Sequence, residues 1–455
     1  MTDQRRLSRL KAITDREVAA FAARTPRSAA LAARAGKSMP DGVPMAWMAG
    51  LHRHPPLFVS AGHGSEFLDA DGNRYIDFNL ADLSNTIGFG ENAVTRKVAA
   101  QAARGMQFLL PCEDAIAVSE ELAARTGMPF WQFTISASSA NTEVIRIARA
   151  MTGRQKVVMF DGKYHGHIDV AMTSGGAPGR NEPARSEGLG LSPGAAADAV
   201  NIPFNDLEAL DRALGPGDAA LVMAEPALTN CSLVLPDPGF LQAACALARK
   251  HGALACLDET HTWQLAFGGF VRAEGVSPDF VTLGKGLGSA TPLGAYGMSP
   301  AVARFVERHH DVADSPGRGL AIGGTTYGSA LTLAAARAML EDIATEDGYR
   351  RILKLGARLA DGIDAIIADI GLPWCAFRYG PRSGFCQTSR HPRNYAEAHH
   401  SVDIAFSDAM RVFMANRGIW EAIYSAGPQV SFAHAEGDVD RYIGVARAFM
   451  TEVFA

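Results

Sequence analysis

Short apolar runs separated by helix-length amphipathic stretches dominate the middle of the chain. WQFTI (131–135), KVVMF (156–160), AALVMAEP (219–226), ALACLDE (253–259), FVTLG (280–284) and AYGMS (295–299) each read as a buried strand. Helical spacing fills several of the gaps, as in FLQAACALARKHG (240–252). Buried strands alternating with helices predict a largely parallel sheet covered on both faces. The last two runs are joined by a loop too short for a crossover, so one strand is expected to be antiparallel. Upstream, residues 1–36 have the period of an amphipathic helix, closed by Gly36 and then Pro40. PLFVSAGHGSEFLDADGNRYIDF follows, its apolar runs split by Gly-His-Gly and Asp-Gly, and reads as a small antiparallel meander. Beyond TTYGSALTLAAARAML (325–340) lies a long helical region with short strands near SGFCQT and PQVSFA.

The expected organisation is therefore an N-terminal helix and meander over 1–80, packing with a small C-terminal α+β domain over 326–455. A large α/β domain over 81–325 lies between them, with a mostly parallel mixed sheet flanked by helices. The Gly/Pro-rich segment 174–194 is expected to be a long loop. Length supports more than one domain, because 455 residues exceed the size at which a single core stops growing.

Composition changes this picture little. A hydrophobic content of 47% and a charged content of 20% are those of an ordinary soluble protein. The net charge of −5 carries no electrostatic footprint for nucleic acid. Arg5, Arg6, Arg9 and Lys11 are interleaved with Asp3, Asp15 and Glu17, which reads as a solvated helix face rather than a nucleic-acid arm. No apolar run is long enough for a membrane span, and the N-terminus lacks the apolar core of a signal peptide. The six cysteines form no CxxC pair, as expected of buried thiols in a reducing compartment. A cytoplasmic location is the expectation.

Candidate chemistry collects where strands end, as it does in open α/β sheets. Glu225, Asp258–Glu259 and Lys285 all fall there, and WQFTI runs into SASSAN, a small polar turn at a helix start. Such a turn suits a phosphate; a Ser/Asn cap without ligand is the alternative. Lys285 is not in a Walker loop, because Gly286 stands where Ser or Thr is needed. Thr291-Pro292 interrupts the helix that a dinucleotide fingerprint would require. A lysine nucleophile, an aspartate and a phosphate cup together make the constellation of a pyridoxal-phosphate enzyme. His165 and His167 lack a third partner at metal-ligand spacing, so no metal is expected. His261 and Trp263 read as packing residues, with a substrate-pocket lining as the alternative.

FTISASSANTEVIRIARAMTGRQKVVMFDGKYHGHID, LACLDETHTW, PDFVTLGKGLGSATPLGAYG and GGTTYGSALTLAAA resemble the class III pyridoxal-phosphate aminotransferases, especially the glutamate-1-semialdehyde aminomutase branch. The matches keep family order over roughly residues 35–450. The resemblance implies the aspartate-aminotransferase-like fold (fold type I) and pyridoxal 5'-phosphate as cofactor. It implies that Lys285 is the Schiff-base lysine and Asp258 the partner of the pyridine nitrogen. Tyr164 matches the aromatic that stacks on the ring, Ala137 and Ser138 the phosphate cup, and Asn230 the asparagine near the ring hydroxyl. Thr325 matches the threonine that reaches the phosphate of a neighbouring subunit, which implies a homodimer with active sites at its interface.

Two departures bear on substrate. The usual Ser-Gly-Thr-Glu-Ala of the cup is Ser136-Ala137-Ser138-Ser139-Ala140 here, and the arginine that holds the aminomutase substrate's carboxylate falls near Met48, beside Trp47. Arg382 is a candidate carboxylate binder, with a surface arginine as the alternative. These departures favour transfer of an amino group from a bulky or hydrophobic amine or amino acid to a 2-oxo acid. An aminomutase, epimerase or lyase on the same fold is the alternative.

Overall fold

The computed structural model describes residues 3–51, 54, 56–175, 184–310, 319–423 and 427–454. Of the expected loop over 174–194, residues 176–183 lie outside the described residues. The chain divides into two compact units: residues 93–346 with 392–398, and residues 1–92 with 347–391 and 399–455.

The larger unit is built on seven strands. Their spatial order is Phe130–Thr134, Gly294–Met298, Phe280–Leu283, Leu254–Asp258, Ala219–Ala224, Lys156–Phe160 and Ala199–Ile202. Gly294–Met298 runs antiparallel to both neighbours, and every other pairing is parallel. All six residues of Ala219–Ala224 are buried, as a strand covered on both faces requires. Ala199–Ile202 was not among the expected strands. It has four residues, includes Asn201, and forms the sheet edge beside Lys156–Phe160.

The helix Ala137–Thr152 lies against this sheet. Val144, Ile147 and Ala148 are fully buried among Val157, Met159, Met223 and Tyr296. Its ends are set by local chemistry. Ser136 adopts an extended conformation, and its hydroxyl accepts the Ser139 N–H. Gly153, at φ 70°, closes the other end in the left-handed region that disfavours a side chain. The helix thus starts at Ala137, and the SASSAN turn forms its first turns.

In the smaller unit the expected meander forms from Val59–His63, Glu66–Asp69 and Arg74–Asp77, extended by Ile419–Trp420 parallel to the last. The N-terminal region is two helices, Asp3–Arg24 and Pro26–Ala35. Pro26 is tolerated only in the first turn of a new helix, which is why one continuous helix does not form. A hairpin joins Cys375–Tyr379 to Arg382–Cys386, but PQVSFA forms no strand and contributes one bridge, Gln429 to Arg382.

The unit boundaries fall later than 80 and 325 for identifiable reasons. Gly64 and Phe89 exchange two backbone hydrogen bonds, of 3.0 and 2.8 Å, which holds the segment after residue 80 on the meander. The helix Ala330–Ala338 belongs to the larger unit, where Leu331 donates to the Met106 carbonyl and Arg337 pairs with Asp114 at 2.8 Å. Among the described residues no helix is long and apolar enough to cross a membrane.

Gly294 shows how closely this frame is fitted. A β-carbon there would lie 2.3 Å from the carbonyl carbon and oxygen of Ser136 and 2.6 Å from Thr134 Oγ1. Gly294→Ala should therefore lower the urea midpoint by an amount equivalent to about 1–3 kcal/mol. An unchanged midpoint would show that the sheet can shift to admit the methyl group.

Candidate active site

Asp258 ends its strand with its carboxylate buried, 3% exposed. Oδ2 accepts from Asn141 Nδ2 at 2.7 Å and from His165 Nδ1 at 2.8 Å. Oδ1 accepts from the Thr260 N–H at 3.1 Å and the Thr260 hydroxyl at 2.5 Å. Burial alone would push the Asp258 pKa up; the His165 hydrogen bond and charge, with the Thr260 donors, hold it below the ordinary carboxylate value. The hydrogen bonds and the His165 charge thus favour the ionised form of Asp258.

Lys285 follows the neighbouring parallel strand, whose Thr282 is in register with Asp258. It opens a short 3₁₀ turn at φ 44°, a left-handed conformation that costs a lysine of the order of 1–3 kcal/mol. The residue before it explains the close fit. A β-carbon on Gly284 would lie 2.9 Å from Ala137 Cβ and 3.5 Å from Thr260 Cγ2. Absence of a side chain at 284 therefore lets the lysine turn lie directly on both the cup and the Asp258 loop.

The cup has matching features. The N–H groups of Ala137 and Ser138 precede the first intrahelical bond and have no acceptor within the helix. Ser138 Oγ accepts the His167 N–H at 3.1 Å, and Gly166, at φ 88°, leaves room for that hydroxyl. A β-carbon at 166 would lie 2.1 Å from it. Further along the same helix, Glu143 accepts the Gly323 N–H at 2.5 Å and Arg146 donates to the Ala321 carbonyl at 2.7 Å. These two bonds tether the segment that leads to Thr325.

Glu225, at the end of the strand on the other side of Asp258, behaves differently. It accepts the Tyr164 N–H at 2.7 Å and the Thr229 hydroxyl at 3.0 Å, and Thr229 also contacts His261 Nδ1 at 2.5 Å. Burial pushes its pKa up to about 7, against the opposing charge of His165. Glu259 is also raised by burial to about 7, and accepts the N–H groups of Phe270 and Val271, both at 2.7 Å. It therefore fastens the start of the helix Gly269–Ala273.

In the larger unit Gly284, next to Lys285, lies against Ala137, His165, next to Tyr164, bonds Asp258, and Ser138 accepts the His167 N–H. Asn230 follows Thr229, and its Nδ2 is buried without a protein acceptor among the described residues. Thr325 is exposed, with its carbonyl accepting from Gln107 Nε2 at 2.8 Å. Trp263 is fully buried, in keeping with a packing residue. Trp47, Met48 and Arg382 belong to the smaller unit. Trp47 and Met48 are 49% and 44% exposed on a one-turn helix, whereas Arg382 is fully buried. The surface-arginine alternative for Arg382 is therefore wrong, because the strand Arg382–Cys386 directs that side chain inward. Sequence reasoning missed Asn141, Thr260 and Gly284. Asn141 stood in the quoted SASSAN turn, but only the fold carries it to Asp258.

Residues 48–370 match the family described as Aminotransferase class-III. The chain belongs to that family. A glutamate-1-semialdehyde 2,1-aminomutase from Sorangium cellulosum (strain So ce56) is 33% identical over 435 residues, 94% of this chain and 97% of that protein. The crystal structure of a glutamate-1-semialdehyde-aminomutase from Pseudomonas aeruginosa PAO1 superposes with a TM-score of 0.92 at 34% identity, over 98% of this chain and 99% of the other. An omega-transaminase from Sphaerobacter thermophilus reaches a TM-score of 0.84 at 26% identity, over 94% and 98% of the two chains. The class III chain has the type I fold of pyridoxal-phosphate enzymes, and its cofactor is pyridoxal phosphate. Its residues fit that group: a buried anion for a ring nitrogen, a helix N-terminus for a phosphate, and an amide donor at Asn230 without a protein acceptor.

The raised pKa of Glu225 has a consequence for stability. The folded chain holds this proton up to about pH 7, whereas the unfolded chain releases it near 4.5. The resulting stabilisation is complete below pH about 4.5 and is lost as pH rises through about 7, on the order of 3 kcal/mol in all. Glu225→Gln should flatten the pH dependence of the denaturation midpoint across that window. Identical slopes for the two proteins would contradict the assignment.

Proposed function

We propose that this enzyme moves the amino group of a small amino compound by aminomutase-type chemistry, with pyridoxal phosphate held on Lys285. The observation that carries the reading is the pairing of a fixed buried anion, Asp258, with a lysine on the adjacent strand, joined across side-chain-free Gly284. When bound, pyridoxal phosphate supplies an electron sink for the substrate carbon that loses a proton. Asp258 keeps positive charge on the ring nitrogen. Ala137 and Ser138 would hold the phosphate, and Tyr164 and Asn230 would hold the ring, as the resemblance implies. The Lys285 amine takes the proton from one carbon and returns it to another. The names of the most similar relatives favour internal migration of the amino group over the bulky-donor transamination expected above.

Transamination is the second reading, favoured by one feature. Met48 and Trp47 are exposed apolar side chains at the position where the resemblance implies a carboxylate-binding arginine. The two readings separate in one experiment with glutamate 1-semialdehyde, the compound named in the relatives. An aminomutase should convert it catalytically with no added amino donor or 2-oxo acid, moving nitrogen from carbon 2 to carbon 1. Turnover that requires a stoichiometric 2-oxo acid would establish the transaminase instead. Lys285→Ala should lower either activity by at least about a thousandfold and abolish labelling of the chain by borohydride reduction; retained labelling would remove Lys285 from its role.

The pairing of two copies is also proposed. Met106, Phe108, Leu109 and Leu110 are 58%, 51%, 71% and 72% exposed, a run of apolar surface that a monomer would leave wet. Gln107 within this run ties it to Thr325. A second copy covering it would bring Thr325 to the neighbouring phosphate cup. Leu110→Asp should convert a dimer to a monomer in light scattering and weaken cofactor retention; a wild-type chain that is already monomeric would refute the pairing.

A further inference from the structure

Within the smaller unit, three metal-ligating side chains converge away from any residue used above as lysine, anion or cup. Cys375 opens the first strand of the hairpin and Cys386 closes the second, so the two lie directly opposite in the antiparallel register. The two-residue link Gly380-Pro381 brings them together from positions eleven apart in sequence. The chain then turns back, and His391 Nδ1 comes to 3.9 Å from Cys375 Sγ. The two thiol sulfurs and an imidazole nitrogen all lie within 4.8 Å of one another. This is the one such group among the described residues.

We propose that Cys375, Cys386 and His391 form a binding site for a thiophilic metal ion, with zinc as the expected occupant. Zinc takes thiolate sulfur at about 2.3 Å and imidazole nitrogen at about 2.0 Å, so tetrahedral ligands sit roughly 3.5 Å apart. The observed 3.9 Å between Cys375 and His391 closes to that value with a small side-chain rotation. Two thiolates balance the charge of a divalent zinc ion, and each thiol gives up its proton to solvent on binding. Soft sulfur ligands exclude magnesium and calcium, which take oxygen. Burial grades across the site: Cys386 is buried, Cys375 half-buried and His391 exposed. The open side leaves a fourth position for water and a route of entry for the ion.

A bound ion would close the free end of the hairpin opposite its turn and tie it to the strap after residue 387. Arg382 lies near the turn end of the same strand, so the clip would hold both ends of the element that carries it. A directly opposed cysteine pair can also be oxidised to a disulfide, but that product has no use for His391. The histidine therefore decides between the two chemistries.

The test uses the full-length, cofactor-loaded protein, reduced and stripped with a chelator, then titrated with zinc against a chromophoric competitor. About one zinc ion per chain should bind, and cobalt in its place should show thiolate-to-metal charge transfer in the near ultraviolet. Cys375→Ser should abolish uptake. His391→Ala, a change at an exposed position, should fold normally and weaken affinity by more than the roughly 10–100-fold typical of residues that only support a ligand. Cofactor absorbance should be the same in all three proteins. The proposal is overturned if reduced wild-type protein takes up no zinc, or if His391→Ala and wild type bind it equally. It is also overturned if the isolated protein carries a Cys375–Cys386 disulfide and binds no zinc after reduction.

Discussion

A single buried carboxylate organises the larger unit. Asp258 belongs to one strand, yet its four donors come from the helix Ala137–Thr152, from the loop carrying Tyr164 and His165, and from the turn after its own strand. A charge taken out of water is tolerated only when it is fully paired and hydrogen-bonded. Ionised Asp258 therefore requires those segments to be in place. The placement of the helix Ala137–Thr152 and of the loop carrying Tyr164 and His165 around one point follows from satisfying one anion.

The contrast with its neighbours shows what decides the charge. Asp258, Glu225 and Glu259 are all deeply buried, and all accept several hydrogen bonds. Only Asp258 stays below its ordinary value; the two glutamates rise to about 7. Backbone N–H donors reduce the penalty of burial at Glu225 and Glu259 without cancelling it. The direct bond from His165 is what Asp258 has and they lack. Three acids at adjacent strand ends and in the same kind of burial are thereby separated into one that favours its charged form and two that keep their protons up to about pH 7.

Much of this arrangement was legible in the sequence because it follows from local patterns. Apolar runs ending in Asp258 and Lys285 predicted both the strands and the chemistry at their ends, and the short link from Leu283 to Gly294 predicted the antiparallel strand. What was not legible depends on contacts between distant positions. Asn141 reads as an ordinary residue of a polar turn until the fold sets it beside Asp258, 117 positions away. The two domain boundaries moved because tertiary contacts outweigh the local change of pattern: Gly64 pairs with Phe89, and the helix Ala330–Ala338 packs on the helices Ala93–Arg104 and Glu113–Thr126 of the larger unit. Arg382 could not be distinguished from a surface residue by type, since only the strand's orientation buries it. The cysteines showed no ligand spacing because a hairpin register, rather than a short motif, brings Cys375 and Cys386 together.

Gly166, Gly284 and Gly294 each face backbone or a fixed side chain at a distance no β-carbon can occupy. Gly294 packs on Ser136, Gly284 on Ala137 and Gly166 on Ser138, so the smallest possible substitution at any of them meets solid protein. Change at this helix start is therefore confined to small side chains, as Ala137, Ser138 and Ser139 already illustrate. The freedom to diverge lies with side chains that project into open space, such as Trp47 and Met48, where bulk and charge can change without disturbing the frame. One chain thus combines a tightly fitted frame, which admits no added methyl group at these glycines, with exposed side chains that can change freely.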